Sequence, residues 1–238
     1  QEAGYKTGII GKWHLGHGPN HNPKGFDDWE ILIEQGEYFD PYFESANGGS
    51  QVEGYVTDII TEKSIDFIDN VEDNQPFFLM CNHKAPHRPW QPATKYKDLY
   101  ADHKFSYPET FNDDYETRSP AAKEAKMKIE QLNENDTKEK TPANLSDQEI
   151  KEWKYQRYMQ DYFACVKSID DSVGMIVEHL KEKDLLDNTI IFYTSDQGFY
   201  LGEHGWFDKR FIYEESLHMP LIIMHPNLKN QAIINKLV

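Results

Sequence analysis

The chain has 238 residues, 38% of them hydrophobic, which is enough for a real core in one large domain or two small ones. Its formal net charge is −16 and its pI near 5.0, which argues against a nucleic-acid partner, because neutralising phosphates needs a basic face. An anionic small substrate stays compatible, since a few local Lys, Arg and His side chains outweigh distant carboxylates.

Cys81 and Cys165 both lie in apolar segments and read as buried free thiols, with a disulfide as the alternative; their spacing is not that of a metal site. No run of about 18 apolar residues occurs, so no membrane span is expected. The chain opens on Gln1 rather than Met, inside what reads as a running element. It is expected to be a fragment, so the lack of a signal peptide carries little weight.

In chain order, Gln1–Tyr5 reads as the end of a helix closed by Gly4. Lys6–Gly11 is a short strand centred on Ile9 and Ile10. Lys12 and His14 follow, and in extended backbone they point to the same side. A cation and an imidazole at a strand end form an anion-site candidate; an exposed Lys and a structural His are the plainer reading. Pro19–Trp29 reads as loop, and Gly36–Gln51, aromatic and polar without a period, as a surface or substrate-side loop. Thr57–Val71 carries Ile59, Ile60, Ser64, Phe67 and Ile68 at helical spacing, with Thr57 as N-cap.

Pro76–Cys81 is a second buried strand, and it runs directly into Asn82-His83-Lys84-Ala85-Pro86-His87-Arg88-Pro89-Trp90. Pro86 and Pro89 restrict the backbone around His87 and Arg88. This cluster raises a functional reading beside the structural one usual for a single His. Pro92–Leu145 has little pattern. Its charged run Ala121–Lys140 reads as a solvated helix and a flexible loop, and residues 112–145 as a surface insertion in one domain spanning 1–238.

Ser146-Asp147-Gln148-Glu149 is a capping box, and Tyr155, Tyr158, Tyr162, Val166, Ile169, Val173, Ile176, Val177 and Leu180 follow at helical steps. This predicts a long amphipathic helix over Ser146–Lys183 whose aromatic stripe is core. Thr189–Thr194 is then a buried strand, ending in Ser195-Asp196-Gln197-Gly198. Asp196 and Gln197 offer hard oxygen ligands suited to Ca²⁺ or Mg²⁺ rather than zinc, or form only a turn. Gly198, Gly202 and Gly205 let the next loop fold tightly, and that loop carries His204, Lys209 and Arg210 towards an anion. A last strand, Met219–Met224, precedes a loop and a truncated tail ending at Val238.

Strand, helix and strand at these lengths give the βαβ rhythm of an α/β fold with a mainly parallel sheet. Ligands in such sheets sit beyond the carboxyl ends of the strands. Three ends carry polar groups: Lys12 and His14; His83, His87 and Arg88; Asp196 and Gln197 with Lys209. Converging on one edge, they would suit a tetrahedral oxyanion, sulfate or phosphate.

These residues resemble a known family. Gly4-Tyr5-Lys6-Thr7 through Gly11-Lys12-Trp13-His14-Leu15-Gly16 is similar to the second signature of the type I, formylglycine-dependent sulfatases. Ala85-Pro86-His87-Arg88-Pro89-Trp90 looks like their His-x-Pro segment. Asp187-Asn188-Thr189 to Gly198, then Leu201-Gly202-Glu203-His204-Gly205 and Lys209, looks like their metal and sulfate segment. The resemblance implies an alkaline-phosphatase-like α/β sandwich, its mainly parallel central sheet flanked by helices. It implies Asp196 and Gln197 as ligands of Ca²⁺, with Mg²⁺ the alternative, and Lys12 and Lys209 on sulfate oxygens. It implies His14 at the formylglycine diol, and His87 at the sulfate, where it helps protonate the leaving alcohol. The implied substrate is a sulfated carbohydrate, most like those of bacterial enzymes acting on N-acetylglucosamine-6-sulfate and heparan-type glycans, and the implied location is periplasmic or extracellular. The sequence carries no signal for oligomeric state.

The family's Cys-x-Pro-x-Arg nucleophile motif fits neither Cys81-Asn82-His83 nor Cys165-Val166-Lys167, and its paired N-terminal acidic ligands are not found here. The expectation is a partial catalytic domain without the nucleophile segment or the C-terminal subdomain, inactive alone. The competing readings are a phosphatase or phosphodiesterase of the same superfamily and a non-catalytic glycan-binding relic.

Overall fold

The computed structural model describes residues 2–16 and 18–228. The tail expected beyond Pro226 lies, from residue 229 on, outside the described residues, as does Gln1. The chain divides into two compact units. One comprises Gln1–Lys104, Glu134–Lys140 and Gln156–Ile176; the other comprises Phe105–Asn133, Thr141–Tyr155 and Val177–Val238.

The first unit is built on a five-stranded mixed sheet of β1 (Lys6–Lys12), β2 (Asp28–Leu32), β3 (Tyr42–Ser45), β4 (Gly48–Gln51) and β5 (Phe77–Asn82), ordered β4-β3-β2-β1-β5. β1 is parallel to both neighbours, β2 and β5, and the antiparallel hairpin β3–β4 extends the sheet beyond β2. The sequence hid β2 and the hairpin. Asp28–Leu32 ends a stretch rich in turn formers, and Gly48–Gln51 is a polar strand exposed throughout. β5 also departs from the expected buried strand: it alternates, with Phe78 52% and Met80 37% exposed.

Helix α1 (Val56–Asp69) covers β1 and β5 through Val56, Ile59, Ile60, Phe67 and Ile68, against Ile9 and Ile10. Burying each such side chain is worth about 1.5–3 kcal/mol. Thr57 is not the N-cap. Tyr55 holds that position without a side-chain bond, and Thr57 lies inside the helix with its hydroxyl buried.

Helix α4 (Asp147–Glu182) contributes Gln156–Ile176 to the first unit and its ends to the second. It begins as predicted: Ser146 Oγ accepts from Glu149 N and Glu149 Oε2 accepts from Ser146 N. Tyr155, Tyr158, Ile169 and Leu180 are buried, in keeping with a core stripe. Within the first unit the Thr61 hydroxyl donates to Ser172 Oγ at 2.6 Å, tying α1 to α4.

In the second unit, β6 (Ile191–Thr194) pairs antiparallel with β9 (Leu221–Met224), and β7 (Tyr200–Leu201) with β8 (Phe207–Asp208). β6 thus belongs to a two-stranded sheet, not the five-stranded one, and Phe192 is 63% exposed where a buried strand was expected. The charged run is not a solvated helix either. It breaks into α2 (Pro120–Glu124) and α3 (Glu134–Thr137); Ala122 within α2 is buried, as are Met127, Ile129 and Leu132 between the two helices. Met127 and Ala122 pack with Tyr200 and Trp206 in the second unit's core. A short helix α5 (Glu214–Leu217) precedes β9. Cys81 and Cys165 are both free thiols, Cys165 fully buried. Among the described residues, no helix is long and apolar enough to cross a membrane.

Candidate oxyanion site

The parallel strands β1, β2 and β5 bring their carboxyl ends together in the first unit. Lys12 is the last residue of β1. Its Nζ donates to Gln35 Oε1 at 2.5 Å. Gln35 Nε2 lies 3.3 Å and 3.2 Å from the two ring nitrogens of His14. Lys12 and His14 therefore both reach Gln35, though not by strand alternation, because His14 has left-handed backbone at φ 50°. Gly11 allows the close packing beneath them. Its φ is +105°, and a Cβ there would stand 2.0 Å from the Asn82 carbonyl oxygen of β5. Asn82 Nδ2 also donates to the Lys12 carbonyl, 3.2 Å away.

The loop after β5 supplies His87. Its Nδ1 lies 2.7 Å from the Arg88 carbonyl oxygen, which only accepts, so Nδ1 carries the proton there. Tyr38, fully buried, donates its hydroxyl to the His87 carbonyl at 2.6 Å and holds the loop from beneath.

The other basic groups of this loop are structural. Lys84 is 3% exposed and donates to the Gln35 carbonyl at 3.0 Å, with its ammonium 4.7 Å over the Tyr38 ring. Arg88 grips the buried Asp136 carboxylate with Nε and Nη2, in the two-point geometry guanidinium favours. His83 is buried, with Nε2 at 2.9 Å from Ser172 Oγ and Nδ1 unsatisfied; burial pulls its pKa down to about 4, so it is neutral. The sequence placed His83 and Arg88 among the anion-binding groups; the structure removes both.

Gln35, Tyr38 and Asp136 were not singled out in the sequence. The run Ile31-Leu32-Ile33 ending in Glu34-Gln35-Gly36 carries the same signal used for β1 and β5, an apolar strand breaking into polar residues. Asp136 carried none, being one acid in a charged run.

In the second unit, Asp196 is exposed and Gln197 half-buried just beyond β6. Gly198 cannot be another residue without disturbance, since a Cβ there would lie 2.1 Å from the Glu215 carbonyl oxygen. Lys209 follows β8, half-buried. Its neighbours are committed: Arg210 pairs with the buried Asp208 at 2.8 Å. His204 does not face an anion. Its Nδ1 donates to Asp113 Oδ2 at 2.8 Å and its Nε2 lies 3.4 Å from Glu215 Oε1. Burial raises the Asp113 pKa, but hydrogen bonds from His204, the Tyr115 backbone and Arg118 outweigh it and leave the carboxyl below its usual range.

As donors, Asp196 and Gln197 have the hard-oxygen chemistry a Ca²⁺ or Mg²⁺ ion takes, and two residues are a fraction of the six to eight ligands Ca²⁺ collects. Among the described residues no group of three His, Cys, Asp or Glu side chains completes such a site.

Comparison with known proteins follows the geometry. The sulfatase family model matches residues 1–238. An N-acetylglucosamine-6-O-sulfatase of Bacteroides thetaiotaomicron is 43% identical over 95% of this chain and 48% of its own length. The N-acetylglucosamine-6-sulfatase of Bos taurus is 29% identical over 99% of this chain and 41% of its own. A protein solved in complex with its substrate, D-glucosamine-2-N,6-O-disulfate, superposes with a TM-score of 0.86 at 42% identity, covering 94% of this chain and 54% of that one. The chain thus spans about half the length of the curated relatives it matches. The α/β architecture is that of the alkaline-phosphatase-like sulfatases, a family whose members generally use a metal ion. With the whole sequence matched, this chain belongs to the sulfatase family.

Proposed function

We propose that the protein carrying this chain hydrolyses sulfate esters of a glycan, and that a 6-sulfated glucosamine is the unit it acts on. The observation that supports this most is the pairing of Lys12 and His14 on Gln35, on the edge that also bears His87, in a chain of the sulfatase family. The glucosamine assignment draws on relatives named for that sugar.

The Lys12 ammonium binds a sulfate oxygen. His87, with its proton fixed on Nδ1, uses Nε2 to hold a proton for the departing sugar alcohol. His14 would contact the formylglycine diol and take the proton that its free hydroxyl gives up as sulfate is eliminated and the aldehyde is restored. Lys209 adds a second cation on the sulfate oxygens. Asp196 and Gln197 hold Ca²⁺, or Mg²⁺ in its place. When bound, that cation withdraws charge from the sulfate oxygens. Neither Cys81 nor Cys165 lies in a Cys-x-Pro-x-Arg motif, so these 238 residues alone are expected to release no sulfate. Its working place is the periplasm or the exterior, as for exported sulfatases.

The test is sulfate release, followed by ion chromatography, from glucosamine 6-sulfate and from its 3-O- and N-sulfated counterparts, by the protein that carries this chain. The expected result is release from the 6-position. Preferential hydrolysis of a phosphate ester of the same sugar would move the protein to the phosphatase branch. Tight sulfate binding without turnover would make it a glycan-binding relic.

A further inference from the structure

Gln35 touches both proposed sulfate-facing groups through one carboxamide. Its oxygen accepts from Lys12 and its nitrogen faces the His14 ring. The turn that carries it is tight. Glu34 and Gly36 have φ of 52° and 65°, Gly36 N donates to the Ile33 carbonyl at 2.9 Å, and a Cβ at Gly36 would meet Leu32 Cδ1 at 2.8 Å. Glu34 is thus a non-glycine residue held in the left-handed region, which L residues enter only at a cost. The Gln35 carbonyl is held in turn by the ammonium of Lys84, a side chain 3% exposed. A chain of contacts runs from β5 through Lys84 and Gln35 to Lys12 and His14.

The chemistry of the carboxamide matters as much as its place. An amide oxygen orients an ammonium without cancelling its charge. A carboxylate at the same distance would form an ion pair and oppose an incoming anion. An aliphatic side chain would take away the acceptor that Gln35 offers the Lys12 ammonium. We propose that Gln35 is a positioning residue that aims Lys12 and His14 at the sulfate while leaving the charge of Lys12 intact, with Lys84 as its anchor. This rests on the reading of Lys12 and His14 as sulfate-facing.

The test uses the protein that carries this chain and three variants, Gln35→Met, Gln35→Glu and Lys12→Ala. Gln35 is outside the left-handed region, so Met keeps the turn and the side-chain volume. The first readout is the ring ¹⁵N and ¹H resonances of His14, assigned with His14→Ala and independent of turnover. Gln35→Met is expected to shift them. The second readout is the inhibition constant of inorganic sulfate beside kcat/KM for glucosamine 6-sulfate. Gln35→Met is expected to lower kcat/KM about tenfold, the loss of one well-made polar contact. Gln35→Glu is expected to weaken sulfate inhibition about tenfold more than Gln35→Met does, because it adds a negative charge.

Unchanged His14 resonances in Gln35→Met, or equal sulfate inhibition in the Met and Glu variants while Lys12→Ala abolishes it, would overturn the positioning role alone. Lys12→Ala leaving both kinetic constants within about twofold of the wild type, a difference too small to be a lost charged contact, would overturn the sulfate reading and this role with it.

Discussion

Arg88 can be judged by stability alone. The sequence offered it as an anion-binding group; the structure makes it a strut between the His87 loop and α3. Its guanidinium is 30% exposed, whereas the Asp136 carboxylate it grips is 1% exposed. The two ends are therefore unequal. In Arg88→Met a buried carboxylate loses two charge-assisted hydrogen bonds, and removing one partner of a buried pair costs about 3–5 kcal/mol. The partial exposure of Arg88 argues for the lower end, roughly 3 kcal/mol. In Asp136→Asn the guanidinium can turn to water, so roughly 1–2 kcal/mol is expected. At about 2–4 °C per kcal/mol for a chain of this size, Arg88→Met should lower Tm by roughly 6–12 °C. Scanning calorimetry of both variants and the double variant measures this, and the double variant should lose less than the sum. If Arg88→Met melts within about 1 °C of the wild type, less than any buried pair would cost, the strut is wrong and Arg88 returns to the anion-binding set.

Three further outcomes follow from the structure. His83 is buried neutral with its pKa lowered from 6.5 to about 4, so the unfolded chain binds its proton first. Stability present above pH 6.5 is lost as pH falls towards 4, on the order of 3 kcal/mol, and His83→Gln should flatten that slope in denaturant titrations. Asp113 is held below its usual range, so its contribution is present above the ordinary carboxyl value and lost as pH falls through the lowered one. Asp113→Asn should therefore destabilise at pH 7 and converge with the wild type as the pH falls through the lowered value. Gly11→Ala would drive a Cβ to 2.0 Å from the Asn82 carbonyl oxygen, and part β1 from β5 beside Lys12. Its cost should exceed the ~1–3 kcal/mol of ordinary overpacking, and amide exchange should quicken along both strands.

The elements legible in the sequence were those whose local chemistry agreed with their surroundings. α4 announced itself by its cap and stripe, and Ser146 and Glu149 bond reciprocally as the capping box requires. β1 and β5 were marked by apolar runs breaking into basic residues, which fixed Lys12 and His87 at strand ends. What failed depended on partners far along the chain. Lys84, Arg88 and His83 look alike in sequence, yet Gln35, Asp136 and Ser172 turn all three inward. Residues 112–145 looked solvated because Met127, Ile129 and Leu132 are scattered among lysines and glutamates, while the fold buries those three and the Asp136 carboxylate with them. β6 was read as buried from its composition, and its exposed face shows that composition alone does not fix burial.

The most direct measurement is kcat/KM for sulfate release from glucosamine 6-sulfate by the protein that carries this chain, beside Lys12→Ala and Lys209→Ala. The account predicts turnover in the wild type and losses of about a hundredfold or more in each variant, as for other groups that stabilise transition-state charge. Turnover unchanged in Lys12→Ala would contradict the assignment of the β1 strand end as the sulfate site.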